Sequence, residues 1–282
     1  MQYSNPQIPE GINVSATHPL LDFLRLLGGI AVAAALVIGV AALLADKLAR
    51  HLPFAAEERL AARFAGALPP PSPQSAYLQA LADRVAAVQD LPEGMRVRLH
   101  FVDEPAVNAF ATLGGNIVVF RGLLDRMPSE NALAMVIGHE VAHVKLRHPV
   151  TTLGRGLAIG VAVATLSAGA GGDIAGRTLG NAGLLTVLTF SRAQEREADA
   201  QALRAVAALY GHVADADRIF RLLGEQAAKL PLDPPAFLRT HPLDRERTDA
   251  IAAMAAANGW SMAGALRPIP ADIRGRPPAG GS

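Results

Sequence analysis

The sequence predicts an α+β chain, mainly helical, with a small, mostly antiparallel sheet beside one buried helix and a single transmembrane helix near the N-terminus. Three observations carry that reading. Leu26 to Ala45, LLGGIAVAAALVIGVAALLA, runs for 20 residues without a charge, enough to cross a hydrocarbon core of about 30 Å at 1.5 Å per residue. MRVRLHFVD (Met95–Asp103) alternates as a strand, and two short extended runs follow it around Gly114-Gly115. VIGHEVAHVKLRHP (Val136–Pro149) then returns to an apolar helical run that carries two histidines and a glutamate.

Composition narrows the chemistry. A chain of 282 residues can bury a real core in one large domain or two smaller ones. Half of it is apolar, and the mean hydropathy of +0.26 is high for a purely soluble protein. With 26 basic against 25 acidic residues and no basic block among aromatics, nucleic acid is a poor partner. There is no cysteine, which excludes disulfides, thiolate nucleophiles and Cys-type metal sites. Any metal must be held by His and carboxylate.

In order along the chain, residues 1–18 form a polar N-terminal segment and 19–48 the transmembrane anchor, whose charge-free run Leu26–Ala45 is bounded by Arg25 on one side and by Asp46, Lys47 and Arg50 on the other. The alternative is a cleaved signal peptide, but the run exceeds the usual apolar region of about 7–15 residues and lacks a basic segment before it. The reading is a single-pass anchor in a bacterial inner membrane. Lys47, Arg50, Arg59 and Arg63 after the span, against Arg25 before it, favour a cytoplasmic catalytic domain over a periplasmic one. Residues 49–74 end in a proline cluster and read as a stiff linker. The main domain is 75–258. It opens with a helix over Ser75–Gln89, with Leu78, Leu81, Val85 and Val88 on one face. In the strand that follows, Val97, Leu99 and Phe101 point inward. Ser129 is the N-cap of the next helix, with Glu130 in its first turn; Pro149 predicts an end near His148. The Gly-rich apolar tract 156–172 is short for a span and reads as a buried or membrane-surface helix. Residues 259–282 read as a flexible tail.

His139 and His143 stand four apart, so on a helix both imidazoles can reach one cation. Glu140 lies about 100° round, beside the metal and not in its ligand plane, where a general base belongs. The alternative is a buried helix that happens to carry two histidines. A metal reading demands a third protein ligand from another element, leaving a fourth position for water. His148 does not fit the metzincin pattern, which has Gly and His at the third and sixth residues after the second histidine, where this chain has Leu146 and Pro149. SRAQEREADA (Ser191–Ala200) places Glu195 and Asp199 on one helix face, with Glu197 pointing away. Glu195 can bind the metal while Asp199 accepts the free ring N–H of a ligand histidine. The competing reading is a solvated, charged helix face.

NAFATLGGNIVVFRGLL, SENALAMVIGHEVAHVKLRH, SRAQEREADA and THPLDRER occur in the order found in one zinc peptidase family, and the chain resembles it from about Ser75 to Ala255. The family comprises the CAAX prenyl proteases, the HtpX-like membrane proteases and the Oma-type and periplasmic quality-control metalloendopeptidases. The resemblance implies a zincin-like catalytic domain acting on polypeptide substrates, with one Zn2+ per subunit held by His139, His143 and Glu195. It implies Glu140 as general base and acid, and Asp199 behind the ligands. It implies that His241 stands near the metal, steadying an oxyanion or gating the open position, accompanied by Arg247. It also implies that Gly115, Asn116 and Ile117 belong to an edge strand that aligns substrate. One apolar span, and not several around the site, distinguishes this chain from the integral-membrane relatives and speaks against prenylated substrates. The rival expectation is a membrane-tethered, chaperone-like binding protein with a gated zinc site.

Overall fold

The computed structural model describes residues 18–63, 66, 68–156, 189–229, 235–241 and 245–274. The apolar tract 157–172 therefore lies outside the described residues. The N-terminal helix α1 (Pro19–His51) contains the one stretch, among the described residues, long and apolar enough to cross a membrane. Its large apolar side chains stand in the open, from Leu20 to Leu48. A second helix, α2 (Phe54–Ala62), follows at once. Residues 49–74, expected as a linker, thus contain a helix whose Glu57 is buried. The proline cluster is confined to the approach to α3 (Pro73–Gln89), which starts on a Ser72/Ser75 capping box.

Among the described residues, three strands form the sheet: β1 (Arg98–Val102), β2 (Ala109–Ala111) and β3 (Asn116–Phe120), in the order β1-β3-β2. β1 runs parallel to β3, with Arg98 opposite Asn116, and β2 antiparallel to it, with Ala109 opposite Val119. The sheet is therefore mixed, where the sequence predicted mostly antiparallel pairing. A period of two reports which face a residue takes, not which strand lies in the middle. The signal for the middle strand is the unbroken burial of Asn116 to Val119, typical of a strand enclosed on both sides. Val97, Leu99 and Phe101 do face inward, and the turn Leu113–Gly115 does join β2 to β3.

The short α4 (Arg121–Leu124) leads to α5 (Glu130–Lys145), capped by Ser129 as the sequence predicts. α5 stops three residues earlier than expected. Arg147 takes a left-handed conformation (φ 62°) and breaks the helix. A new helix, α6, covers 148–156. Pro149 belongs to its first turn, where the missing N–H costs nothing. α7 (Arg192–Tyr210) packs along α5, and α3 lies against both. Gly138 permits that approach: a Cβ there would come within 3.2 Å of the Ala202 backbone. The chain continues through α8 (Arg218–Lys229), α9 (Ala236–Thr240) and α10 (Arg245–Ala257). Residues 260–274, expected within a flexible tail, dock on the start of α5. Ile269 and Ile273 are buried, and the Arg267 carbonyl accepts from the Glu130 N–H at 2.8 Å.

Candidate metal centre

α5 presents His139 and His143 one turn apart, their Nε2 atoms 2.9 Å from each other. α7 begins with a capping box between Ser191 and Gln194, which sets Glu195 in the first turn, where the helix dipole favours its charge. Glu195 Oε2 lies 3.4 Å from His139 Nε2, and its Oε1 3.6 Å from His143 Nε2. His241, at the end of α9, turns Nδ1 into the same space, 3.2 Å from His139 Nε2 and 3.1 Å from Glu195 Oε1. These four donors lie within 4.8 Å of one another, and their side chains are all buried.

The donor set fits zinc. Donors about 2.1 Å from a tetrahedral centre stand about 3.4 Å from each other, the scale of the separations found here. Three imidazoles and one carboxylate, with no thiolate available, are a borderline-soft set suited to that ion. The supports behind the donors point the same way. His139 Nδ1 is 2.9 Å from Asp199 Oδ1, which leaves Nε2 free to face the cluster. Arg247 grips Asp199 through two hydrogen bonds of 2.8 Å and reaches Glu195 Oε2 at 2.7 Å.

Residues 72–255 match Peptidase family M48. The chain belongs to that family. It is 36% identical over 135 residues to the mitochondrial metalloendopeptidase OMA1 of Schizosaccharomyces pombe, covering 47% of this chain and 39% of that one. It is 30% identical over 190 residues to the beta-barrel assembly-enhancing protease of Escherichia coli, covering 61% and 37%. With the Escherichia coli metalloprotease LoiP it shares 36% over 130 residues, 44% and 50% of the two chains. The chain thus spans half or less of the length of these relatives.

In this M48 chain the electrostatics of the donor cluster are uneven. Burial disfavours a charged His139, but hydrogen bonds and charge from Asp199 and Glu195 prevail and push it up to about 10. Burial and the nearby His139 charge hold His143 well below its usual range. Burial would raise Glu195, yet the charge of His241 and the bond from His139 keep it low. Asp199 is likewise held low against burial by His139 and Arg247.

Glu140 stands beside the donors. Its Oε2 accepts a 2.7 Å hydrogen bond from the Ala111 N–H on β2. Its Oε1 lies 3.4 Å from His241 Nε2, and neither of these two buried atoms has a hydrogen-bond partner among the described residues.

His139, Glu140, His143, Glu195, Asp199, His241 and Arg247 therefore meet at one place. Gly115, Asn116 and Ile117 do not form an edge. β3 is the central strand, and Asn116 bonds inward to Leu113 and His100. The strand edge beside Glu140 belongs to β2. Thr112 and Asn108 bond to β3, so by alternation Ala109 and Ala111 turn their backbone groups the other way. The run NAFA (Asn108–Ala111), two residues before the glycines, was the available signal for this edge.

Sequence reasoning excluded His148 as a ligand but missed how it and two phenylalanines surround the donors. His148 is outside the donor set, with its Nδ1 2.9 Å from His143 Nδ1 on the far side of that ring. Its place follows from the left-handed Arg147 break, which spacing does not reveal. Phe190 stacks on His143 at 4.0 Å and Phe237 on His241 at 4.6 Å. Phe190 stands just before the Ser191 cap, a position that could have been marked.

Proposed function

We propose that the chain is a membrane-anchored zinc metalloendopeptidase that hydrolyses polypeptide substrates in protein quality control. The observation that carries it is the buried set His139, His143 and Glu195 with Glu140 alongside, tied to a strand edge. His139, His143 and Glu195 would hold the zinc, and the bound ion would polarise the scissile carbonyl and acidify water at neutral pH. Glu140 supplies the proton transfers. Its Oε1 accepts the proton of the attacking water and returns it to the leaving amine, while Oε2 stays on the Ala111 N–H. On β2 the Ala109 backbone groups and the Ala111 carbonyl turn away from β3; both residues are buried in the closed site, and once it opens these groups would align an extended peptide without reading its side chains.

His241 has two roles open to it, and the geometry favours one at rest. Its Nδ1 belongs to the donor set, and the site residues are buried, so this is a closed arrangement with His241 as the gate. Swung out, the same ring can steady the developing oxyanion. Purified full-length protein should digest casein, stop when a chelator is added, and digest it several-fold faster as His241→Ala if gating dominates. A fall of about 100-fold in His241→Ala would make His241 an oxyanion donor instead. Metal-loaded protein, both wild type and His241→Ala, with no hydrolysis would favour the chaperone-like reading.

The anchor is α1. Its most apolar window has no buried residue, an exposed surface that water does not stabilise and lipid does. The protein should remain in the membrane fraction after alkaline carbonate extraction, and its release would remove the anchor from this account. The balance of Lys and Arg favours a cytoplasmic catalytic domain, and a reporter fused after Ser282 reads the side directly.

A further inference from the structure

Helix α2 lies outside the segment that matches the peptidase family, yet it is packed into the domain that carries the site. Glu57, on α2, is 3% exposed and has two partners. Its Oε1 accepts a 3.0 Å hydrogen bond from the Gly114 N–H, in the turn that joins β2 to β3. Its Oε2 lies 2.9 Å from Arg147 Nη2, at the break after α5. The same guanidinium donates to the Leu52 carbonyl at 2.8 Å and stands over the Phe54 ring. Glu58, next along α2, pairs with Arg98 at 2.7 Å and Arg96 at 3.3 Å on the outer face of the sheet.

The two glycines of the turn are shaped for this contact. Gly114 has φ 70°, and a Cβ there would come within 2.8 Å of Ala61 Cβ and 3.1 Å of the Glu58 backbone. At Gly115, φ 74°, a Cβ would strike the Arg96 carbonyl and come within 3.1 Å of Phe54. A side chain at Gly114 would therefore lever α2 away, besides straining the turn. Both ends of the Glu57 clamp lead to the site. Gly114 stands three residues after Ala111, whose N–H holds Glu140. Arg147, in its left-handed conformation, sets the path from His143 to His148, which backs the His143 ring. On the other side, Ala45 and Ala49 at the end of α1 pack against Gly154 of α6.

We infer that Glu57 is a positioning residue for the peptidase site, with α2 the clamp that joins the end of the apolar helix to the β2 edge and to the end of α5. The carboxylate fixes the turn after β2, and so the strand on which substrate lies and from which Glu140 hangs. It also neutralises and holds the strained Arg147. This inference rests on the peptidase reading, because β2 matters only if a peptide is aligned there.

The test compares full-length Glu57→Ala and Glu57→Gln with Glu130→Gln, a control at the opposite end of α5. Glu130 pairs with Arg84 at 3.0 Å and accepts from Tyr77 and Tyr210, so its loss also removes a buried network. A purely structural role lowers the folded fraction, and with it apparent kcat, and leaves KM alone. Positioning predicts that Glu57→Ala raises KM for an extended peptide by about tenfold. Glu57→Gln, which can still accept from Gly114, should recover part of that loss, and Glu130→Gln should leave KM within about twofold. Unchanged KM in Glu57→Ala would overturn the inference. Hydrogen exchange supplies a readout free of turnover: amides of residues 109–116 should exchange faster in Glu57→Ala than in Glu130→Gln at matched stability. If neither the wild type nor His241→Ala hydrolyses anything, the peptidase reading has failed and the exchange comparison decides the clamp. Equal exchange in the two variants would overturn it.

Discussion

Glu140 keeps one carboxylate oxygen on the Ala111 backbone and leaves the other beside His241, so one side chain both has a fixed bearing and can move a proton. On the proposed mechanism, Glu140→Gln preserves the shape and removes the base. It should lower kcat by about 10²–10⁴-fold while the protein still binds zinc, measured by peptide turnover beside metal analysis. Full activity in that variant would assign the base elsewhere. His139 gives a second residue-scale prediction. Its folded pKa, about 10, lies above the ordinary value of about 6.5. Its charged form therefore stabilises the metal-free fold fully below about pH 6.5, and that contribution is lost as pH rises through about 10. His143 is held low and is already neutral at pH 7–9, and Glu195 and Asp199 are already ionised. Among the three ligands His139, His143 and Glu195, only His139 then gives up a proton to the metal. Binding should release about one proton, with affinity rising about tenfold per pH unit from 7 to 9, read by calorimetry in buffers of different ionisation enthalpy. Binding without proton release would contradict this electrostatic picture. At this scale much was legible, because His139, Glu140, His143, Glu195 and Asp199 obey helical spacing. The Ala111 donor was not: a backbone N–H has no signature in its side chain.

α7 owes its start to Ser191 and Gln194, which satisfy each other's backbone donors and place Glu195 in the first turn. Ser191→Ala should therefore cost about 1 kcal/mol of stability, read as a lower denaturation midpoint, and weaken metal binding as the first turn frays. Loss of stability with unchanged metal affinity would show that Glu195 is held by Arg247 and His241 without help from the cap. Helices α3, α5 and α7 were readable from the spacing of their apolar or charged residues, and α5 also from its Ser129 cap. The sheet was half readable. Alternation gave the faces of β1, but the central place of β3 depends on which neighbours enclose it, a tertiary fact. Proline also misled in one respect. Pro149 signals a helix boundary from either side, and here it opens α6 while the left-handed Arg147 ends α5.

Across the whole molecule, a long exposed apolar helix is joined through α2 to a domain whose donors are gathered from α5, α7 and the end of α9. Those donors come from stretches far apart in sequence, which is why four separated motifs were needed to foresee one centre. The docking of α2 and of residues 260–274 was not foreseen. A Pro-rich or polar segment looks like linker until the surface that receives it is known. The central claim is that Glu195 completes a zinc site begun by His139 and His143. Metal analysis of wild type and Glu195→Ala after identical dialysis, with circular dichroism to verify the fold, addresses it most directly. The wild type should carry about one zinc per chain and the variant far less. One full equivalent of zinc in folded Glu195→Ala would contradict it.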